Sequence, residues 1–261
     1  ELVQAKAEEY AHQSAEEGGK PLIDSRIELF RAVQGIREAA QSISKLTGHE
    51  IPMNLTSSSM NRMALTTREP IGLVAAISAF NHPFNLIVHQ VIPAVAVGCP
   101  VIIKPARATP LSCLNLVNCL YEAGLPKEWC QMVVCESSLA EKLVTDSRVA
   151  FFSFIGSGEI GWMLRSKLSP GTRCALEHGG AAPVIIDHDA DLDDALPLLA
   201  KGGFYHAGQV CVSVQKVFVH ESRLDEFRKK LVKLAEKLVV GDPTDEKTEV
   251  GPLIQENEVN R

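Results

Sequence analysis

"VAFFSFIGSGEIG", residues 149–161, joins an unbroken apolar run to a glycine-rich turn and the start of an amphipathic segment. The run 149–155 has the length and the β-branched and aromatic content of a buried strand. Glu159–Leu168 then reads as a helix. Between them, Gly156, Gly158 and Gly161 satisfy G-x-G-x-x-G. Small residues there let the backbone approach a phosphate, and a helix N-terminus supplies N–H donors and positive potential. The same spacing also suits a plain tight strand-to-helix turn. The motif is not on the first strand, and no acidic residue clearly ends the strand that follows.

The pattern repeats outward. "IGLVAAIS" (71–78), "PVIIK" (100–104) and "CQMVVC" (130–135) read as strands, and 83–97, 110–124 and 138–145 as the helices between them. Strands that are apolar throughout and separated by helices specify a parallel sheet covered on both faces. The expected fold class is α/β: a doubly wound, mostly parallel, Rossmann-like sheet, with part of a second α/β unit after it. That second alternation is "APVIID" (182–187), a helix at 190–203, "QKVFVH" (215–220) and a helix at 221–237. Ahead of the sheet, 2–17 and 24–46 carry helical periodicity, broken at "EGGKP" (17–21). The polar, partly alternating stretch 48–68 reads as a projecting β excursion.

Composition narrows the function. At 46% hydrophobic and 22% charged residues over 261 positions, the chain is an ordinary globular one. A net charge of −6 argues against nucleic acid as a partner, since phosphate binding needs a surplus of Lys and Arg. No apolar run reaches the roughly 18 residues that span a bilayer; the longest, Val91–Ile103, is cut by Pro93, Gly98 and Pro100. The charged, helical N-terminus is not a signal peptide. The seven cysteines are odd in number and contain no C-x-x-C. That pattern disfavours a disulfide framework or a metal site and fits reduced thiols in the cytoplasm.

Four further stretches carry chemistry. In "VIIKPARATP" (101–110), Lys104 ends a buried strand and Arg107 follows three residues on. Ligands of open α/β sheets bind at such strand ends, so the two cations either face an anion or solvate the turn. In "CALEHGGAAP" (174–183), Glu177 closes an apolar run before Gly179–Gly180. A carboxylate desolvated there has a raised pKa and suits a general base; it could equally pair with backbone donors. In "SAFNHPFN" (78–85), Asn81 either donates to a developing oxyanion or closes an Asx-turn before a helix. In "FYHAGQVCVSVQK" (204–216), Cys211 sits where a turn passes into a β-branched strand, as a nucleophile or a packed thiol.

Taken in order, these motifs resemble the aldehyde dehydrogenase superfamily. They are the Asn81 segment, "IIKPA" with Lys104, F-x-G-S at Phe154–Ser157, L-E-x-G-G at Leu176–Gly180, G-Q-x-C at Gly208–Cys211 and "GDP…GPLI" at Gly241–Ile254. The resemblance runs from "GGKP" through almost the whole chain. It implies that Cys211 is the nucleophile and Glu177 the general base, with Asn81 and the Cys211 N–H as the oxyanion hole. Lys104 would hold the adenosine ribose, and Gly156 and Ser157 the cofactor pyrophosphate. Phe80, where the family commonly has Trp, counts with the cofactor contacts. The implied cofactor-binding domain is 1–48 plus 68–178, 49–67 begins a projecting oligomerisation hairpin, and 179–261 is a partial catalytic domain. The implied reaction oxidises an aldehyde to a carboxylic acid with NADP or NAD, through a thiohemiacetal and a thioester on cysteine. The partners are then a small-molecule aldehyde and further copies of the chain in a dimer or tetramer, with no nucleic acid and no membrane.

Departures from the family pattern are informative. Gln90 stands where Lys is common, Ala181-Ala182 where Lys-Asn is common, and His206 where Asn is common before "GQ". NAD-preferring members often carry Glu three residues after the "KP" lysine, to hold both ribose hydroxyls; here that position is Arg107. A guanidinium cannot accept from a hydroxyl but pairs with a 2′-phosphate, which favours NADP. "AFNHP" resembles members acting on small polar or anionic aldehydes. The chain is shorter than family members and is expected to be a fragment, without the later Glu-x-Phe-Gly-Pro segment that holds the nicotinamide ribose. Two alternatives accompany this reading: a truncated, non-catalytic cofactor-binding or oligomerisation module, and an acylating enzyme that passes the acyl group to coenzyme A or phosphate. Glu177, as a water-activating base, argues against the second. Cys211 is expected at a cleft, its sulfur within reach of the Asn81 amide.

Overall fold

The computed structural model describes residues 1–260. The chain begins with helices α1 (Leu2–Ala5), α2 (Ala7–Gly18) and α3 (Leu22–Ser42). α2 stops at Gly19, whose left-handed backbone (φ 72°) turns its N–H back to Ala15 O at 2.9 Å. The polar stretch that follows does make a small antiparallel pair, β1 (Glu50–Ile51) with β2 (Ala64–Leu65).

The main alternation comes next: β3 (Leu73–Ile77), α4 (Asn85–Ala96), β4 (Val101–Lys104), α5 (Leu111–Glu122), β5 (Cys130–Met132), α6 (Ser137–Val144), β6 (Val149–Gly156), α7 (Gly158–Arg165) and β7 (Arg173–His178). The apolar run ahead of Glu177 is therefore a fifth strand. All five pair in parallel, in the spatial order β5-β4-β3-β6-β7. Numbered along the chain this is 3-2-1-4-5, the dinucleotide-binding order, with its reversal between β3 and β6. Both faces are covered, as the continuous apolar runs require. One core gathers Leu29, Phe84, Ile87, Val91, Ile103 and Leu116 from the sheet and the α2–α5 layer. The other gathers Val144, Phe152, Phe154 and Leu164 from the α6–α7 side.

The edge strand β7 is the exception. Its residues alternate between exposed and half-buried, because α4 packs over β3 and β4 and leaves one face of the last strand open.

A smaller unit closes the chain. β8 (Val184–Ile186) and β9 (Val217–Val219) pair in parallel and pack with α8 (Leu192–Phe204) and α9 (Leu224–Ala235) around Ile186, Leu192, Leu196, Leu199 and Phe227. α8 is capped by the Asp191 carboxylate, which accepts from the N–H groups of Asp193 and Asp194. β9 is shorter than the expected 215–220, so Cys211 is not at the start of a strand. It lies in a turn, six residues ahead of Val217. "GPLI" crosses the α2–α3 corner so closely that a Cβ on Gly251 would collide with the Gly19 carbonyl. The Leu22 N–H also donates to Pro243 O at 2.8 Å, so 241–254 is anchored on the "GGKP" corner. Among the described residues no helix is long and apolar enough to cross a membrane.

Candidate active site

The candidate residues gather at the carboxyl edge of the sheet. Asn81 lies in the loop between β3 and α4, and that loop is held from far away in sequence. Glu28 of α3, fully buried, accepts from the N–H groups of Phe84 and Asn85 at 2.8 Å each, and so caps α4. Its other oxygen pairs with the equally buried Lys20 ammonium and accepts from Ser14 Oγ at 3.4 Å. A buried charge needs such a full set of partners.

The Asn81 amide is directed by Gln209. Asn81 Nδ2 donates to Gln209 O at 2.9 Å. The Gln209 side chain accepts from Ile254 N–H at 2.9 Å and donates to His206 O and Pro252 O at 3.1 and 3.3 Å. One residue thus joins the Asn81 loop, the Cys211 loop and the "GPLI" segment. The Asn81 amide meets this loop at the Gln209 carbonyl, two residues before Cys211. Cys211 itself is exposed, while Cys99, Cys113, Cys119 and Cys130 are buried.

The backbone ahead of Cys211 is strained. His206, Ala207 and Gly208 have φ of 47°, 55° and 76° in succession. Left-handed conformations cost non-glycine residues about 1–3 kcal/mol each and persist only when neighbours enforce them. The His206 ring within this stretch is fully buried and lies edge-to-face with Phe80, ring centroids 6.2 Å apart. Phe80 therefore packs against the cysteine loop. Both His206 ring nitrogens lack a partner. Burial, with the Lys20 charge nearby, pushes the His206 pKa down to about 3. A folded-state pKa below the unfolded value of about 6.5 means that the unfolded chain takes up the proton first. The stabilisation is complete above pH ~6.5 and is lost as pH falls toward 3. His206→Asn should therefore flatten the pH dependence of stability between pH 6.5 and 5, by up to about 1.4 kcal/mol per pH unit. Urea unfolding at the two pH values measures this; an unchanged slope would show that His206 titrates normally.

Glu177 corrects another expectation. It was expected to be desolvated at the end of an apolar run; instead it is exposed, because it faces outward from the edge strand β7. Its electrostatic neighbour is His89 of α4.

On the cofactor side, Lys104 is buried at the end of β4 and donates to Pro105 O at 2.9 Å. Burial lowers its pKa, and nearby Arg107 lowers it further. Arg107 is exposed and bonded to Glu136 at 2.9 Å. Ser157 takes the N-cap position of α7, is exposed and makes no side-chain cap bond. The first N–H groups of that helix therefore have no side-chain acceptor. Gly161, third in the glycine motif, has a packing role: a Cβ there would strike His178, which fills the space between β7 and α7 against Phe154 and Trp162. Gln90, at the position where the family commonly has Lys, donates to Ile77 O, Ser153 O and Ser153 Oγ at 3.0–3.1 Å, tying β3 to β6 across the reversal point. These features fit a dinucleotide: a reversal point, an uncapped helix N-terminus beyond Gly156 for a pyrophosphate, and a strand-end lysine.

Lys20, Glu28 and Gln209 were not singled out from sequence. Gln209 could have been, from the "GQ" ahead of Cys211. Glu28 had no signal, since its partners lie 56 and 57 residues away.

Comparison with known proteins agrees with this geometry. The sequence model of the aldehyde dehydrogenase family matches residues 1–261. A 3-sulfolactaldehyde dehydrogenase of Priestia megaterium is 39% identical over 262 residues, covering 100% of this chain and 55% of that protein. Among solved structures, a glyceraldehyde-3-phosphate dehydrogenase of Methanocaldococcus jannaschii complexed with NADP superposes with a TM-score of 0.91 at 36% identity, over 97% of this chain and 55% of that one. An aldehyde dehydrogenase of Physcomitrella patens in complex with the reaction product succinate gives 0.94 at 35% identity, over 99% and 54%. The chain thus spans about half the length of these relatives. On the family match over residues 1–261 and these superpositions, the chain belongs to the aldehyde dehydrogenase family.

Proposed function

We propose that the full-length protein oxidises a small aldehyde to the carboxylic acid with NAD(P), using Cys211 as nucleophile. The observation that carries this reading is the Asn81 Nδ2–Gln209 O bond. It sets a side-chain amide beside the loop of an exposed thiol, at the carboxyl edge of a dinucleotide-type sheet.

The Cys211 sulfur attacks the aldehyde carbon and forms a thiohemiacetal. Asn81 Nδ2 has two hydrogens; with one held by Gln209 O, the other remains to meet the oxyanion together with the Cys211 N–H. When bound, the cofactor supplies the hydride acceptor. Lys104 would hold its ribose, and Gly156, Ser157 and the α7 N-terminus its pyrophosphate. Glu177 then takes a proton from the water that cleaves the thioester.

The substrate class follows from the relatives: one is named for 3-sulfolactaldehyde and another was solved with succinate. Both names point to small polar or anionic aldehydes. Assay of the full-length protein with such aldehydes, with and without coenzyme A, tests the reading. Free acid as product in both conditions is the expected result. An acyl-coenzyme A product would make the enzyme an acylating one, and no cofactor reduction with any aldehyde would leave a non-catalytic module.

A further inference from the structure

We infer that Glu136 is a cofactor-selecting residue, which opposes the preference of Arg107 for a 2′-phosphate and lets the β4–β5 edge accept either NAD or NADP. The inference rests on the proposed reading of this edge as the adenosine-ribose subsite.

Arg107 follows the end of β4 by three residues, and Glu136 follows the end of the neighbouring β5 by four. The two strands pair in parallel through Ile103 and Met132, so their trailing loops emerge side by side. There Arg107 Nη1 donates to Glu136 Oε2 at 2.9 Å. Lys104 senses both charges, so all three groups share one strand-end cluster. Glu136 occupies the N-cap position of α6 yet makes no side-chain cap bond. Its carboxylate is turned toward the guanidinium.

Arg107 alone would select a 2′-phosphate, because its fork meets phosphate oxygens with paired hydrogen bonds. With Glu136 present, a 2′-phosphate must displace a carboxylate from that fork and lie beside a like charge. A free 2′-hydroxyl meets neither obstacle, and can donate to the carboxylate. Specificity is a difference between affinities, and a repulsive group shapes it as much as an attractive one. Glu136 thus supplies, from the neighbouring loop, the acidic acceptor that the β4 turn lacks.

Equilibrium binding of NAD and of NADP to the full-length protein, without aldehyde, separates the contributions. Glu136→Gln should raise affinity for NADP relative to NAD by about two- to fivefold, the scale of an exposed ion pair. Arg107→Gln should lower the same ratio. Both effects should shrink as salt is raised, since the pair is exposed. A ratio unchanged or lowered by Glu136→Gln, while both cofactors still bind, would overturn the inference and leave the site intact. Failure of the unsubstituted protein to bind either cofactor would overturn the reading of the site, and this inference with it.

Discussion

Replacing Cys211 by Ala should abolish aldehyde oxidation in the full-length protein, by about four to six orders of magnitude, as for loss of a covalent nucleophile elsewhere. No neighbouring group can substitute. The nucleophile must be reachable and must be able to leave the acyl carbon once water attacks. Cys211 is the one exposed thiol among the seven cysteines. Burial pushes the Cys130 thiol up to about 11 and raises Cys113 further, so neither carries appreciable thiolate near neutral pH. The same contrast should govern alkylation. Limiting iodoacetamide followed by peptide mapping should label Cys211 first, with the half-buried Cys135 and Cys174 next. Preferential labelling of Cys113 or Cys130 would overturn the assignment. So would a Cys211→Ala protein that still turned over.

Glu177→Gln should separate the two halves of the reaction. Thiohemiacetal formation and cofactor reduction need no base to activate water, so the substituted protein should still release one equivalent of reduced cofactor in a burst. Steady turnover should fall by about two to four orders of magnitude, the usual effect of removing a general base. Stopped-flow absorbance of the reduced nicotinamide reads both phases. Unchanged turnover would assign Glu177 to structure. The position of Glu177 on the open face of β7 gives the size of the loss a meaning. Water competes for the lone pairs of an exposed carboxylate, so a loss at the upper end of the range requires that the edge of β7 become dry when substrate binds.

Much of the candidate site was legible before the fold was known. Lys104, Asn81 and Ser157 could each be placed at the carboxyl end of an apolar run, because the direction of the chain through a parallel strand decides which end carries the ligand. Cys211 was legible only as one residue of an ordered set of motifs, since its local surroundings suit a buried thiol equally well. The contacts that orient these groups were not legible. Glu28 caps α4 across 57 residues, and Gln209 gathers three loops. Neither leaves a periodic signal, because a single hydrogen-bonding side chain changes no hydrophobic pattern.

The amino-acid sequence by itself determined the α/β class, the alternation of elements and the polar excursion at 48–68. Those features follow from apolar periodicity and turn residues, which act within a few positions of one another. Tertiary structure alone decided the strand order, and with it that β7 is an edge strand and Glu177 exposed. It likewise decided that Arg107 faces Glu136, that the Asn81 amide binds the Gln209 carbonyl, and that His206 is buried in a strained turn. Periodicity records how apolar a face is. Which neighbour covers that face, and which charge meets which, depends on how separate elements pack, and that is settled only when distant parts of the chain share one core.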